Sequence, residues 1–290
     1  MAQSSRLVKP AVQELLHATV VRAERLSPHW MRVTLGGGEL DRFRPMGYDQ
    51  WFRLFLPLGG DEGLDRLPAK ANKLFGYLKY LRIPDGVRPV MRNYSVRKYR
   101  AATADAGPEI DVDFVLHGSA ADGTAGPASR WAETCAAGES VVIIDEGLSF
   151  NPERGTERVL LVTDETGLPA VASICASIPD TATGLAIIEI PDAADALEFP
   201  HPTGVDVRWI VRDHAEKPGE PALAALEAVD LPAAPFHAYI AGEQALPTGA
   251  RRHLIERGVE RDRISFCGYW RVGAASPTPK SRVAATEAHS

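Results

Sequence analysis

Residues 158–164, RVLLVTD, run directly into 165–170, ETGLPA, and this stretch decides how the second half of the chain is read. A near-continuous apolar run that ends in a polar turn and a helix start fits a strand buried on both faces. The pattern returns in GLAIIEI (184–190), VDVRWIV (205–211), FHAYIAG (236–242) and RISFCGYW (263–270). Helical stretches at 167–178, 219–229 and 247–257 separate these runs. Apolar strands alternating with helices predict a parallel sheet covered on both faces, a three-layer α/β domain over 156–273.

Toward the N-terminus the rhythm changes. HATVVRAERL (17–26), HWMRVTLGG (29–37), QWFRLFLPL (50–58), MRNYSVRKY (91–99) and EIDVDFVLHG (109–118) are short, alternating and rich in β-branched or aromatic residues. With VVIID (141–145) they make six strands, and Gly and Pro punctuation predicts a small antiparallel barrel over residues 1–150. GPASRWAETCAAG (126–138) reads as a helix closed by Gly138. An insertion, 59–89, carries Leu74, Tyr77, Leu78 and Leu81 at helical spacing near Lys70, Lys73 and Lys79. It predicts an amphipathic helix over an open end of the barrel, or else a basic docking surface. Polar residues from Asn151 to Thr156 mark the boundary, and the Ala-, Ser-, Thr- and Pro-rich tail 274–290 reads as disordered.

Composition narrows the classes of function. The 290 residues are 45% apolar and 24% charged, as expected for packed domains, and suffice for two of them. No apolar run approaches the roughly 20 residues of a membrane span, and the N-terminus lacks a signal-peptide core, so a cytoplasmic monomer is expected. Cys135, Cys175 and Cys267 are odd in number and widely spaced, which suits buried thiols rather than a zinc or iron–sulfur site. The net charge of −6 argues against a nucleic-acid partner.

Two constellations carry chemistry in the first half. In Arg92-Asn93-Tyr94-Ser95-Val96-Arg97, strand geometry puts Arg92 and Tyr94 on one face and Ser95 and Arg97 on the other. An arginine for a phosphate, an aromatic ring and a hydroxyl are what a flavin needs, although alone the stretch also fits an ordinary cross-strand pair. Gly126-Pro127-Ala128-Ser129 opens a helix whose small residues allow a pyrophosphate to approach its positive end, or is simply a helix start. Upstream, Asp111, Asp113, Val115 and His117 alternate with Val112, Phe114 and Leu116 along one strand.

In order, Arg-x-Tyr-Ser, a strand ending in His117-Gly118, and Gly-Pro-Ala-Ser-x-Trp-Ala resemble the siderophore-interacting proteins, a branch of the ferredoxin-reductase-like flavoenzymes. Asp164-Glu165-Thr166-Gly167-Leu168-Pro169-Ala170, Ala241-Gly242-Glu243 and Gly268-Tyr269-Trp270-Arg271-Val272-Gly273 extend the resemblance from about residue 15 to 273. It implies a flavin-binding barrel followed by a nucleotide-binding domain. Arg92, Asn93, Tyr94 and Ser95 with Val115, His117 and the Gly126, Pro127, Ala128, Ser129 cradle are then implied to bind FAD, and Trp270 is read either as covering an adenine or flavin face or as a core aromatic at a strand end. Asp164, Glu165, Thr166, Gly242 and Glu243 are implied on the NADPH or NADH side. Two departures stand out: a lengthened loop over Ser119–Ala125, and Gly167 where the family pattern has alanine.

The implied activity is ferric-siderophore reduction, hydride passing from NAD(P)H to FAD and single electrons then reaching siderophore-bound Fe(III). No side chain is assigned a catalytic role and no protein metal site is expected. Lys73, Arg97, Arg130 and Arg271 are candidates for holding an anionic siderophore, and loose association with a membrane or transporter is open. A flavin or electron-transfer reductase on the same fold, and a non-catalytic siderophore carrier, are the alternatives. Asp164 and Glu165 would repel a phosphate, so the pyrophosphate is not expected on their turn. They either accept bonds from the nicotinamide amide or a ribose, or simply occupy a helix N-terminus. Asp192 would suit a ribose hydroxyl in a Rossmann pattern, which transfers poorly to this family.

Overall fold

The computed structural model describes residues 7–11, 13–57, 60–68, 78–118, 125–153 and 155–273. Two units separate, one of Val8–Leu148 and one holding the chain from Ser149 onward together with Leu7.

In the first unit, alternating sequence produces an antiparallel sheet. Its strands are β1 (Leu15–Ser27), β2 (Trp30–Gly36), β3 (Trp51–Leu56), β4 (Val90–Ser95), β5 (Lys98–Arg100), β6 (Glu109–Val115) and β7 (Ser140–Gly147). They lie in the order β4-β3-β7-β1-β2-β6-β5. Seven segments replace the six expected because the run 90–100 breaks at Val96–Arg97. There the Val96 N–H donates to Gln50 O at 2.8 Å, beside β3, while the Arg97 N–H donates to Asp111 O at 3.0 Å, on β6. One stretch of chain thus supplies both ends of the sheet order. The two ends of the sheet are thereby brought together along one segment, in the manner of a partly closed barrel.

Val112, Phe114 and Leu116 enter the core with Met31, Val33, Leu35, Phe52 and Leu54, as the alternation predicts. Asp111 and Asp113 face the other way and remain buried, so each needs partners. Thr34 and Arg100 donate to Asp111 at 2.7, 2.6 and 2.5 Å, and Arg32 grips Asp113 at 2.7 and 2.8 Å.

Two details of this unit correct the sequence reading. The one-turn helix α1 (Glu62–Asp65) belongs to the insertion, and Leu64, Leu67 and Ile83 of that insertion pack with Phe55, Val142 and Ile144. These are positions of β3 and β7 that alternate with the core positions, so the described part of the insertion covers the outer flank of the sheet. Leu78 and Leu81, predicted to pack, are 44% and 40% exposed. Leu74, Tyr77, Lys70 and Lys73 lie outside the described residues. The helix in the barrel core is α2 (Pro127–Thr134), which buries Ala128, Trp131 and Ala132 there. It ends on Cys135 rather than running on to Gly138, whose positive φ of 91° makes the turn into β7.

The second unit holds β8 (Arg158–Thr163), β9 (Thr183–Ile190), β10 (Gly204–Val211), β11 (His237–Glu243) and β12 (Ile264–Trp270), ordered β10-β9-β8-β11-β12 and all parallel. Helices α3 (Leu168–Ser177), α4 (Glu220–Ala228) and α5 (Ala245–Glu256) connect them. Ala222, Leu226, Leu246, Ala250 and Leu254 of α4 and α5 pack on Leu160, Val162, Leu185, Ile187, Ala238 and Ile240. On the alternate face Phe150 meets the rings of His237 and Tyr239 at 5.0 and 6.0 Å, and α3 is buried from Leu168 to Cys175. The chain steps outward from β8 to β10 and then returns to β11. The C-terminal ends of β8 and β11 therefore flank the point where strand order reverses, the usual ligand crevice of such sheets.

Candidate functional site

The barrel unit brings together β4, β6 and α2. Arg92 and Tyr94 share a face of β4, Asn93 is exposed and Ser95 is buried on the opposite face. The Tyr94 ring lies 4.3 Å from Phe114, which lies 5.7 Å from Trp131 of α2. This aromatic chain ties the Arg-x-Tyr-Ser strand to the helix. Desolvation lifts the Tyr94 hydroxyl well above the usual tyrosine range, so the ring stays neutral. Arg92 bonds to its neighbour's carbonyl, Met91 O, at 2.9 Å, and has no carboxylate partner among the described residues. Arg22, Arg32, Arg53, Arg97 and Arg100 of the same unit all do.

Helix α2 begins on Gly126, in extended backbone, with Pro127 at its start, no side-chain cap and no acid in its first turn. A Cβ on Gly126 would meet nothing within 4 Å. Its first N–H groups lack helical partners by geometry, so this is an open, positively polarised end. Ser129 is turned to the strand instead: its hydroxyl donates to Val115 O at 3.3 Å and accepts from the His117 N–H at 3.4 Å. Val115 and His117 follow the strand alternation away from Phe114, with His117 exposed. The structure thus gathers Arg92, Tyr94 and residues 126–129, and uses Val115 and His117 through their backbone to hold the helix.

The basic candidates divide. Arg97 is paired with Asp113 at 3.5 Å and its side chain is only 13% exposed, so its charge belongs to the β6 network rather than to a docking surface. Arg130 is exposed on α2, with Nη2 3.4 Å from Ala125 O, and Arg271 is exposed just after β12. Lys73 lies outside the described residues.

At the crevice of the parallel unit the acids are occupied. Asp164 is fully buried and accepts four hydrogen bonds: from Thr166 N and Oγ1 at 2.9 and 2.6 Å, Glu243 N at 2.6 Å and Trp270 Nε1 at 3.0 Å. Burial and the neighbouring Glu165 push its pKa up to about 7 against the pull of those donors. Glu165 makes a two-pronged pair with Arg212, both contacts 3.0 Å. Arg212 also reaches Glu189 at 2.5 Å, and Glu189 accepts from Gly219 N and Ala222 N at 2.8 and 2.9 Å. Glu243 accepts from Ala245 N at 2.6 Å and Val272 N at 3.3 Å. Of the two readings of Asp164 and Glu165, these bonds favour the structural one. The Trp270 N–H is likewise committed to Asp164, and Asp192 caps a turn through Ala194 N at 2.8 Å.

Arg212 and Glu189 were missed by sequence reasoning, and one signal was available. Glu189 sits inside the apolar run GLAIIEI, where a buried carboxylate requires a cationic or N–H partner. Gly167, the departure from the family's alanine, is required by its neighbour, because a Cβ there would stand 1.9 Å from Thr163 Oγ1.

Two family models match the chain, the siderophore-interacting FAD-binding domain over residues 19–149 and the siderophore-interacting protein domain over 156–273. The chain belongs to the siderophore-interacting protein family. Within the family's reach, a siderophore utilization protein from T. fusca superposes with a TM-score of 0.76 at 28% identity, covering 94% of this chain and 98% of that one. Ferric vibriobactin reductase ViuB of Vibrio cholerae is 29% identical over 257 residues, 87% of this chain and 88% of its own. The NADPH-dependent ferric-chelate reductase of Escherichia coli is 25% identical over 255 residues, 87% of this chain and 91% of its own. Among the described residues no helix is long and apolar enough to cross a membrane.

Proposed function

We propose that this chain is a ferric-siderophore reductase that holds FAD in its barrel unit and draws electrons from a reduced nicotinamide. The observation that carries the reading is the acid-free, uncapped N-terminus of α2, tied through Trp131, Phe114 and Tyr94 to a strand whose Arg92 has no carboxylate partner among the described residues. A pyrophosphate needs such exposed N–H groups and a guanidinium, and an isoalloxazine or ribityl chain needs a neutral flat surface such as the Tyr94 ring. The residues present fit the cofactor. Gly126, Pro127, Ala128 and Ser129 form its phosphate cradle, with Arg92 as counter-charge, Tyr94 as ring contact, and Asn93, Ser95, Val115 and His117 as further lining.

Bound FAD supplies the exchange between two-electron donors and one-electron acceptors. The substrate's own chemistry does the rest, since hard oxygen ligands that hold Fe(III) suit Fe(II) less well, and reduction loosens the metal. Exposed Arg130, one turn into the cradle helix, supplies positive charge for an anionic siderophore. The named activities of the Vibrio cholerae and Escherichia coli relatives support this reading.

The test is the absorption spectrum of the purified protein, before and after anaerobic NADH or NADPH and then a ferric siderophore. Flavin bands that bleach with nicotinamide and return as Fe(II) accumulates in a ferrozine trap are the expected result. Bands that bleach and are not restored by any iron complex would move the substrate to another acceptor. A protein that takes up no FAD would end the proposal.

A further inference from the structure

We infer that Gln50 is a positioning residue for the flavin: its side chain clamps the turn 44–50 against the end of β4 that carries Ser95. This rests on the flavin reading proposed above. With Arg92 at the phosphate and Tyr94 at the ring, the cofactor lies along β4 with its reacting end toward Ser95 and Val96. The turn meets the strand at that end. The Val96 N–H donates to Gln50 O at 2.8 Å, and the next residue, Trp51, is paired with Ser95 in the β3–β4 register. Where the turn stands therefore sets where the Ser95 end of the strand stands.

Gln50 is 1% exposed, and both polar atoms of its side chain are bonded. Its Oε1 accepts from the Met46 N–H at 2.7 Å, while Nε2 donates to Arg44 O at 3.0 Å and to Asp145 Oδ2 at 2.8 Å. Asp145, itself buried on β7, takes the Gly147 N–H on its other oxygen at 2.9 Å. The turn so held is not the one its sequence prefers. Gly47 and Tyr48 have φ of 73° and 50°, and among the described residues Tyr48 is the one non-glycine with positive φ. A bulky residue in the left-handed region costs about 1–3 kcal/mol and persists only where its surroundings over-determine it. The bonds of Gln50 to Arg44 and Met46 on one side of Tyr48, and to Asp145 and Val96 on the other, supply that constraint. A strained turn pinned to the strand beneath the flavin ring fixes the ring's seat to within a bond length, which a relaxed turn would not do.

The test is Gln50→Leu in the full-length, FAD-loaded protein, which removes the side-chain bonds to Met46, Arg44 and Asp145. Its flavin absorption bands are expected to shift, and the limiting rate of anaerobic reduction by NADH or NADPH to fall about tenfold, since misplacement by roughly 1 Å costs up to about 100-fold. FAD affinity, set by Arg92 and the α2 end, is expected to change less than about threefold. Adding Tyr48→Asn is expected to regain about threefold or more of the rate, because asparagine accepts the left-handed backbone that tyrosine resists. A role confined to stability would lower the melting temperature of Gln50→Leu and leave the bands and the rate native. That result overturns the inference, as does an FAD loss as large as the rate loss, or a second change that restores stability without rate. If Gln50→Leu does not fold, Asp145→Asn carries the test, because it keeps the shape of the clamp's far end and removes part of its bonding. A rate about threefold lower with shifted bands then supports the inference, and native values overturn it. A native protein that takes up no FAD ends the reductase reading and this inference together.

Discussion

Among the described residues four helices begin with a proline in their first three residues, yet their N-termini have opposite fates. In the barrel unit α2 starts on Gly126 with no acid in its first turn and empty space beside the glycine. In the parallel unit Asp164, Glu189 and Glu243 fill the corresponding ends of α3, α4 and α5. All four helices have the same dipole and the same unsatisfied N–H groups. They differ in whether the protein supplies the negative charge itself or leaves that to a ligand. A helix start read from sequence therefore says where an anion is favoured, not whether a visiting anion can bind there.

The comparison can be broken most forcefully at its filled ends. Glu189→Ala leaves Arg212 half paired and two N–H groups bare, and should cost about 3–5 kcal/mol in the parallel unit's urea transition. A loss under about 1 kcal/mol would mean that the carboxylate is dispensable there. The open end is tested by closing it. Gly126→Asp places a favourable cap in extended backbone with room to spare, so thermal stability should hold or rise slightly. FAD affinity should nevertheless drop about 100-fold, near 2.7 kcal/mol, in a flavin-fluorescence titration. Unchanged affinity would show that the cofactor does not use this helix end.

Two arginines five residues apart sharpen the point. Arg92→Ala should weaken FAD by about 1.5–3 kcal/mol, the worth of a charge-assisted hydrogen bond, with little change in stability. Arg97→Ala should do the reverse, because Arg97 is paired with Asp113. Equal effects of the two on FAD affinity would dissolve the distinction between committed and available cations.

The smallest effect, per pH unit, is a difference of sign between two buried aspartates. Burial would raise the Asp111 pKa, but the hydrogen bonds from Arg100 and Thr34 outweigh it and leave it lowered. Its contribution is present above the unfolded value and is lost as pH falls through the folded one. Asp164, raised to about 7, keeps a proton that the unfolded chain releases above its ordinary range. Stability from that group therefore declines as pH climbs from about 4 to 7, by at most about 1.4 kcal/mol per unit. Denaturation of the native protein against Asp111→Asn and Asp164→Asn across pH 3–8 should show difference curves of opposite slope. Parallel slopes would remove the Asp164 assignment.

Much of this was legible in the chain itself. Alternation placed Val112, Phe114 and Leu116 inward and Asp111 and Asp113 outward, and Gly126-Pro127 announced a helix start, because period and turn chemistry are properties of neighbouring residues. Position in the insertion was less legible. Leu78 and Leu81 have helical spacing but stand exposed, while Leu64, Leu67 and Ile83 pack, since spacing does not say which flank of a sheet an excursion will meet. The break at Val96–Arg97 was likewise hidden, because its two partners, Gln50 and Asp111, belong to opposite ends of the sheet order.

The candidate site divides along the same line. Arg92, Tyr94 and the 126–129 turn could be named from local pattern and family resemblance. Asp164 and Glu165 could be named but not interpreted, because their partners come from far along the chain. The Glu243 N–H is 79 residues from Asp164, the Trp270 indole 106, and Arg212 47 from Glu165. By itself the sequence determined the two sheets, their helices and the residues able to meet an anion, all set by short-range periodicity and residue chemistry. Only the tertiary structure decided that α4 is closed as well, because Glu189 reaches the Gly219 and Ala222 N–H groups across 30 and 33 residues, whereas Asp164 and Glu243 act on N–H groups two residues away.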